Sequence, residues 1–254
     1  MTTVALEHPT PFEEHRQDLV RVYVWELPVR ATHWLIFLSI MVLSVTGIYI
    51  GNPFIIVAGP ARDHFVMGWM RTIHAYSAIV FTLSVLSRVV WMFVGNRYAR
   101  WDKFIPASRK HRRGLWGTFR FYIFSLRKPP GFVAHNPLAG LAYLAVFGLY
   151  FLMIATGFAM YSGKASVGSP MQWFEFLVPL VGGLQTARLL HHITMWLLLG
   201  FMVHHVYSGI LMSNVEANGT MESIFSGFKF VPREDLVESE HHLIDHQEVP
   251  DAKP

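Results

Sequence analysis

Arg188-Leu-Leu-His191-His192-Ile-Thr-Met-Trp196-Leu-Leu-Leu-Gly-Phe-Met-Val-His204-His205-Val-Tyr207 is an apolar stretch long enough to cross a bilayer, with a histidine pair at each end. On a helix turning about 100° per residue, His191 and His205 point within roughly 40° of each other. A rise of about 1.5 Å per residue separates them by about 21 Å along the axis. The alternative cross-pairs, 191/204, 192/205 and 192/204, diverge by about 120–140°. One face therefore carries two imidazoles, one near each membrane surface, which is the geometry of a helix serving two stacked haems.

The rest of the chain fits that reading. Of its 254 residues 52% are hydrophobic and 15% charged, with positive mean hydropathy; soluble domains carry nearer a quarter charged residues. No charge, with histidine neutral, falls between Arg30 and Arg62, Lys128 and Lys164, or Arg188 and Glu216, and Arg71 to Arg88 is a shorter such run. Each run holds an apolar core near the roughly 20 residues that span hydrocarbon. The sequence predicts an all-α, integral membrane four-helix bundle holding b haems, with spans at about 32–51, 70–95, 138–161 and 187–212. Residues 1–22 form a polar, poorly ordered N-terminal segment, 23–213 the transmembrane diheme domain and 214–254 an acidic tail. Glu7, Glu13, Glu14 and Asp18 precede the first apolar run, which argues against a signal peptide. The absence of cysteine excludes disulfides, thiolate ligands, c-type haem attachment and iron–sulfur sites within the chain.

Charge asymmetry sets the orientation. Residues 96–137 hold ten Lys/Arg and one acid, whereas loops 52–69 and 162–186 hold one Lys/Arg each. The basic loop is therefore expected on the cytoplasmic side, and four spans put both termini there too. A net charge of +4 reads as a membrane-surface signal and not as a nucleic-acid footprint. The segment Leu115–Leu126, aromatic and flanked by basic residues, suits a helix lying in the interface. Residues 214–254, with nine acids against three Lys/Arg, suit a solvated tail, and His241, His242 and His246 belong to it.

Depth then sorts the histidines. His33 enters the first span from the cytoplasmic side and His205 comes late in the inward-running fourth span. His74 opens the second span from the outer side, as His191 opens the fourth. Two pairs follow, His33 with His205 and His74 with His191, each suited to hold one haem iron through two imidazoles. The third span contains no histidine between Leu138 and Tyr161. His192 and His204 have no depth-matched partner on the same face, and His64 has no assigned role. Arg88 lies fourteen residues after His74, on about the same face; it either snorkels to the interface or pairs with a haem propionate. Arg30 and Arg71 are further candidate propionate partners. Thr156-Gly157-Phe-Ala-Met-Tyr161 echoes Thr46-Gly47-Ile-Tyr49 at the same depth, where small residues allow close approach of a helix or a flat macrocycle.

Arg30-Ala-Thr-His33-Trp34-Leu35 with Leu43-Ser-Val-Thr46-Gly47, and Leu190-His191-His192-Ile193 with Trp196, Phe201 and His205, resemble the two signatures of the b-type cytochrome subunit of membrane-bound respiratory nickel–iron hydrogenases. Met67–His74, His135-Asn136-Pro137-Leu138 and Thr156–Tyr161 are also similar, so the resemblance covers about residues 20–230. Two departures, Ala31 for a bulky apolar residue and Leu189 for a small one, touch no proposed ligand. The resemblance implies a subunit of a hydrogen:quinone oxidoreductase in a bacterial inner membrane, with no H₂-activating site in this chain. It implies an iron–sulfur small subunit and a nickel–iron large subunit docked on the periplasmic face, in a heterotrimer that oligomerises further. Electrons would pass through two b haems, His74/His191 then His33/His205, to quinone. Analogy with the related formate dehydrogenase cytochrome b subunit implies a quinone site near His135, Asn136 and His205. Asn136 ahead of Pro137 also suits a helix cap. Two alternatives stand beside this: the cytochrome b subunit of a formate dehydrogenase or thiosulfate reductase, and a membrane anchor with incomplete haem occupancy.

Overall fold

The computed structural model describes residues 19–55, 59–60, 64–101, 104, 109–122, 137–216 and 218–233. Four long helices dominate it: α1 (Leu27–Gly51), α2 (Val66–Val94), α4 (Pro137–Ser162) and α6 (Leu184–Glu216). All four are long and apolar enough to cross a membrane. Between them lie α3 (Arg109–Tyr122), a 3-10 turn at Pro170–Phe174 and the one-turn α5 (Leu177–Leu180). After them come α7 (Thr220–Ser226) and strand β2 (Phe228–Pro232), which pairs antiparallel with β1 (Leu19–Tyr23).

The helix boundaries have local causes. Pro28 sits in the first turn of α1, where its missing N–H costs nothing. Glu26 carries no cap bond of its own; its carboxylate accepts from Asn96 N (2.7 Å) and Trp91 Nε1 (2.8 Å), tying the start of α1 to the end of α2. Gly182 and Gly183, at φ +84° and +93°, make the left-handed turn from α5 into α6 that other residues adopt only with strain. The helices overrun the predicted spans, α2 starting at Val66 and α6 ending at Glu216, because a helix continues past the hydrocarbon into the interface. α3, the helix expected in the interface, starts at Arg109, ahead of the expected Leu115; residues 123–136 lie outside the described residues.

α1 packs along α2, and α4 along α6, giving two helix hairpins. They meet at mid-depth in a core of Ile36, Phe81 and Val85, against which Leu43, Phe147, Tyr150 and Met153 pack. Phe81 and Tyr150 meet edge-on at 5.3 Å. The opposite faces are apolar and exposed: Leu38, Val42 and Val45 on α1, Leu83, Leu86 and Val90 on α2, Val203 and Ile210 on α6. A surface this apolar belongs in lipid. Inside the spans, the Thr32 and Ser84 hydroxyls donate to their own helices, at Pro28 O and Val80 O (2.7 Å each).

The sheet corrects the expectation of an all-α chain with loose ends. Leu19–Tyr23, of which residues 19–22 were expected to be poorly ordered, and Phe228–Pro232, expected in the solvated tail, complete each other's backbone hydrogen bonds. Gly227 locks the clasp: its carbonyl accepts from Val24 N (2.8 Å) and Trp25 N (3.1 Å), and a Cβ there would lie 2.7 Å from Trp25 O. Trp25 Nε1 donates to Ser223 Oγ (3.0 Å) in a buried bond. Residues 1–18 and 234–254 lie outside the described residues.

Candidate functional site

The four histidines singled out from sequence lie in two pairs. The rings of His33 on α1 and His205 on α6 have centroids 6.2 Å apart, and those of His74 on α2 and His191 on α6 are 6.5 Å apart. A metal–imidazole bond is about 2 Å, and the ring centre lies about 1 Å behind its nitrogen, so two imidazoles on opposite sides of one ion have centres about 6 Å apart. Both pairs fit. Among the described residues no third histidine or carboxylate joins either of them to complete a protein-only metal site.

The two sites are built differently. At the first, His74 Nδ1 and Thr46 Oγ1 are hydrogen-bonded at 2.8 Å, and His191 Nδ1 and Thr156 Oγ1 at 2.9 Å. Each ring also lies against the following glycine: a Cβ on Gly47 would be 3.3 Å from His74 Cε1, and one on Gly157 3.5 Å from His191 Cε1. The two Thr-Gly steps thus hold two imidazoles across two hairpins, leaving each Nε2 free to bind iron. Neither threonine was assigned this role from sequence, although the Thr-Gly echo was its visible trace. We call this the braced pair.

At the second, His33 Nδ1 is buried without a hydrogen-bond partner. Aromatic rings surround His205 instead: Phe201 stacks on it at 5.5 Å and Tyr143 meets it edge-on at 6.4 Å. Tyr143 is α4's contribution to a site to which that helix brings no histidine. This is the unbraced pair.

The other predicted residues divide. Arg88 is 9% exposed; its Nη1 donates to Ala99 O (3.5 Å) and its guanidinium lies 5.9 Å from the Phe104 ring. Phe104 in turn meets Tyr143 at 5.8 Å, so Arg88 reaches towards the unbraced pair through two rings. Arg30 donates through Nη1 to Phe225 O of the clasp, while its Nε is buried and unpartnered. Arg71 is exposed at the start of α2. Arg188, not singled out, repeats the Arg-x-x-His spacing of Arg30/His33 and Arg71/His74 and bonds Gln185. His192 donates through Nδ1 to Arg188 O (2.9 Å), and its other side packs on Gly51. His204 is exposed beside Ser208. His135 and Asn136 lie outside the described residues.

The family model for prokaryotic cytochrome b561 matches residues 24–227. The chain is 36% identical over 225 residues to the "Probable Ni/Fe-hydrogenase 1 B-type cytochrome subunit" of Escherichia coli strain K12, covering 86% of this chain and 96% of that one. It is 37% identical to the "Probable Ni/Fe-hydrogenase B-type cytochrome subunit" of Azotobacter chroococcum mcd 1, over 85% of this chain and 92% of that one. It is 38% identical to the protein so named from Bradyrhizobium diazoefficiens, over 81% of this chain and 85% of that one. Four membrane-length helices and these matches together make the chain a membrane-bound b-type cytochrome of the prokaryotic cytochrome b561 family.

Proposed function

We propose that this chain is the transmembrane electron-transfer subunit of a nickel–iron hydrogenase, carrying electrons from H₂ oxidation through two b haems to quinone. A b-type cytochrome implies haem b; His74 and His191 would hold one haem, and His33 and His205 the other. What carries it is the pair of ring separations, 6.2 and 6.5 Å, at opposite ends of one membrane-length helix.

Haem held by two imidazoles supplies a one-electron iron couple with no open coordination site, suited to transfer and not to substrate activation. The protein does the rest. α6 sets the sites about 21 Å apart along its axis. Thr46 and Thr156 fix the rings of one site. Phe81, Val85, Ile36 and Tyr150 fill the level between the sites and keep water out. Arg30, Arg71 and Arg88 are the candidate propionate partners. With the basic 96–137 loop cytoplasmic, the braced site faces the periplasm, where an iron–sulfur and a nickel–iron subunit dock, and the unbraced site faces the cytoplasm. Quinone reduction near His205, His135 and Asn136 would then take up protons inside while H₂ oxidation releases them outside.

Haem content by pyridine haemochrome tests the reading on the intact complex. Two b haems per chain are expected, with His74→Ala and His33→Ala each losing one. Two haems retained in both variants would reject the ligand assignment. In proteoliposomes, H₂-driven quinone reduction should generate a membrane potential; its absence would reject the orientation.

A further inference from the structure

The two histidine pairs differ in what stands behind the rings, and this difference has an electronic consequence. Thr46 Oγ1 donates its proton to Val42 O (2.7 Å), and Thr156 Oγ1 donates to Leu152 O (2.7 Å). With its one proton committed, each hydroxyl offers only lone pairs to the ring beside it. In each Oγ1–Nδ1 contact the proton therefore belongs to Nδ1.

We propose that Thr46 and Thr156 are positioning residues that hold His74 and His191 as the Nδ1–H tautomer and set the haem between them at a lower reduction potential than the haem between His33 and His205. The inference rests on the ligand assignment above. An acceptor behind Nδ1–H makes the imidazole a more basic ligand, and a more basic ligand favours ferric over ferrous iron. Donation by the hydroxyl to its own helix polarises it further as an acceptor. At the unbraced pair the effect is missing at His33, whose Nδ1 has no partner, while Phe201 and Tyr143 flank His205. The buried Arg88, which reaches that site through Phe104 and Tyr143, adds positive charge that favours the ferrous form there. Both differences act in the same direction. One electron leaving ferrous iron at the braced site and reducing ferric iron at the unbraced site therefore moves downhill along α6, with no proton transferred.

The test is a redox titration of the haem absorbance bands in the intact complex, on wild type, Thr46→Val, Thr156→Val, the double variant and the corresponding serine variants. Wild type should show two waves. In the double valine variant the lower wave should rise by about a tenfold change in the ferric-to-ferrous ratio, which is 59 mV for one electron. The higher wave should stay in place, and serine should restore the lower one. Movement of the higher wave, no movement of either with both haems retained, or serine behaving like valine would overturn the proposal. If the valine variants lose the braced haem, His33→Ala decides the ordering: its remaining wave must match the lower wild-type wave, and a match to the higher one overturns it. His74→Ala or His191→Ala retaining two haems would instead break the ligand assignment. Loss of one haem in those variants, with threonine-insensitive waves, would reject this inference alone.

Discussion

The braced and unbraced histidine pairs have nearly the same ring separation and very different surroundings. Around His74 and His191, two threonines and two glycines from α1 and α4 fix ring rotation and tautomer. Around His33 and His205, aromatic rings set the shape and leave His33 Nδ1 without an acceptor. The helix period alone puts His191 and His205 on one face of α6, at its two ends. What stands behind each imidazole is a separate feature of the fold, and it can tune two chemically identical ligand sets apart.

The sharpest break in the comparison comes from the ligands. His191→Ala should remove the braced haem completely and stop H₂-to-quinone electron flow, while His205→Ala removes the other haem; spectra of the purified complex distinguish the two losses. Next come the glycines. In Gly47→Leu and Gly157→Leu, atoms beyond a Cβ already 3.3 or 3.5 Å from the ring would occupy its place. The braced haem should then bind about 10–100-fold more weakly, the range found when a ligand's support is lost, and haem titration should find the unbraced site unchanged. A smaller effect is expected from Arg88→Met, which keeps the buried stem and removes the charge. The potential of the unbraced haem should fall while that of the braced haem holds; equal shifts at both sites would show that Arg88 acts on the whole bundle. The smallest comes from Trp25→Phe in the clasp, which deletes the buried bond to Ser223 Oγ. It should cost about 1 kcal/mol of stability, read as a small drop in melting temperature with both haems retained.

The sequence made the four spans legible because lipid imposes a nearly one-dimensional code: uncharged runs of helix length are enough to recognise them. It also made the four histidines legible, since fourteen residues on a regular helix leave two side chains on one face whatever the neighbours do. The threonine braces were visible only as a repeated Thr-Gly. Recognising their role requires that Thr46 lie against a residue 28 positions away and Thr156 against one 35 positions away. The clasp was less legible still. Leu19–Tyr23 and Phe228–Pro232 read separately as polar ends, and each becomes a strand only by pairing with the other, its partner in the first register pair lying more than two hundred residues along the chain.

The amino-acid sequence by itself therefore determined that this chain enters a membrane, how often it crosses and which histidines share a helix face. These follow from local hydropathy and helical period, which each segment carries alone. Only the tertiary structure decided what stands behind each imidazole across the hairpins and where the two ends of the chain meet. Those depend on the packing of α1 on α2 and of α4 on α6, and a hydrogen bond between helices exists only once both have been placed.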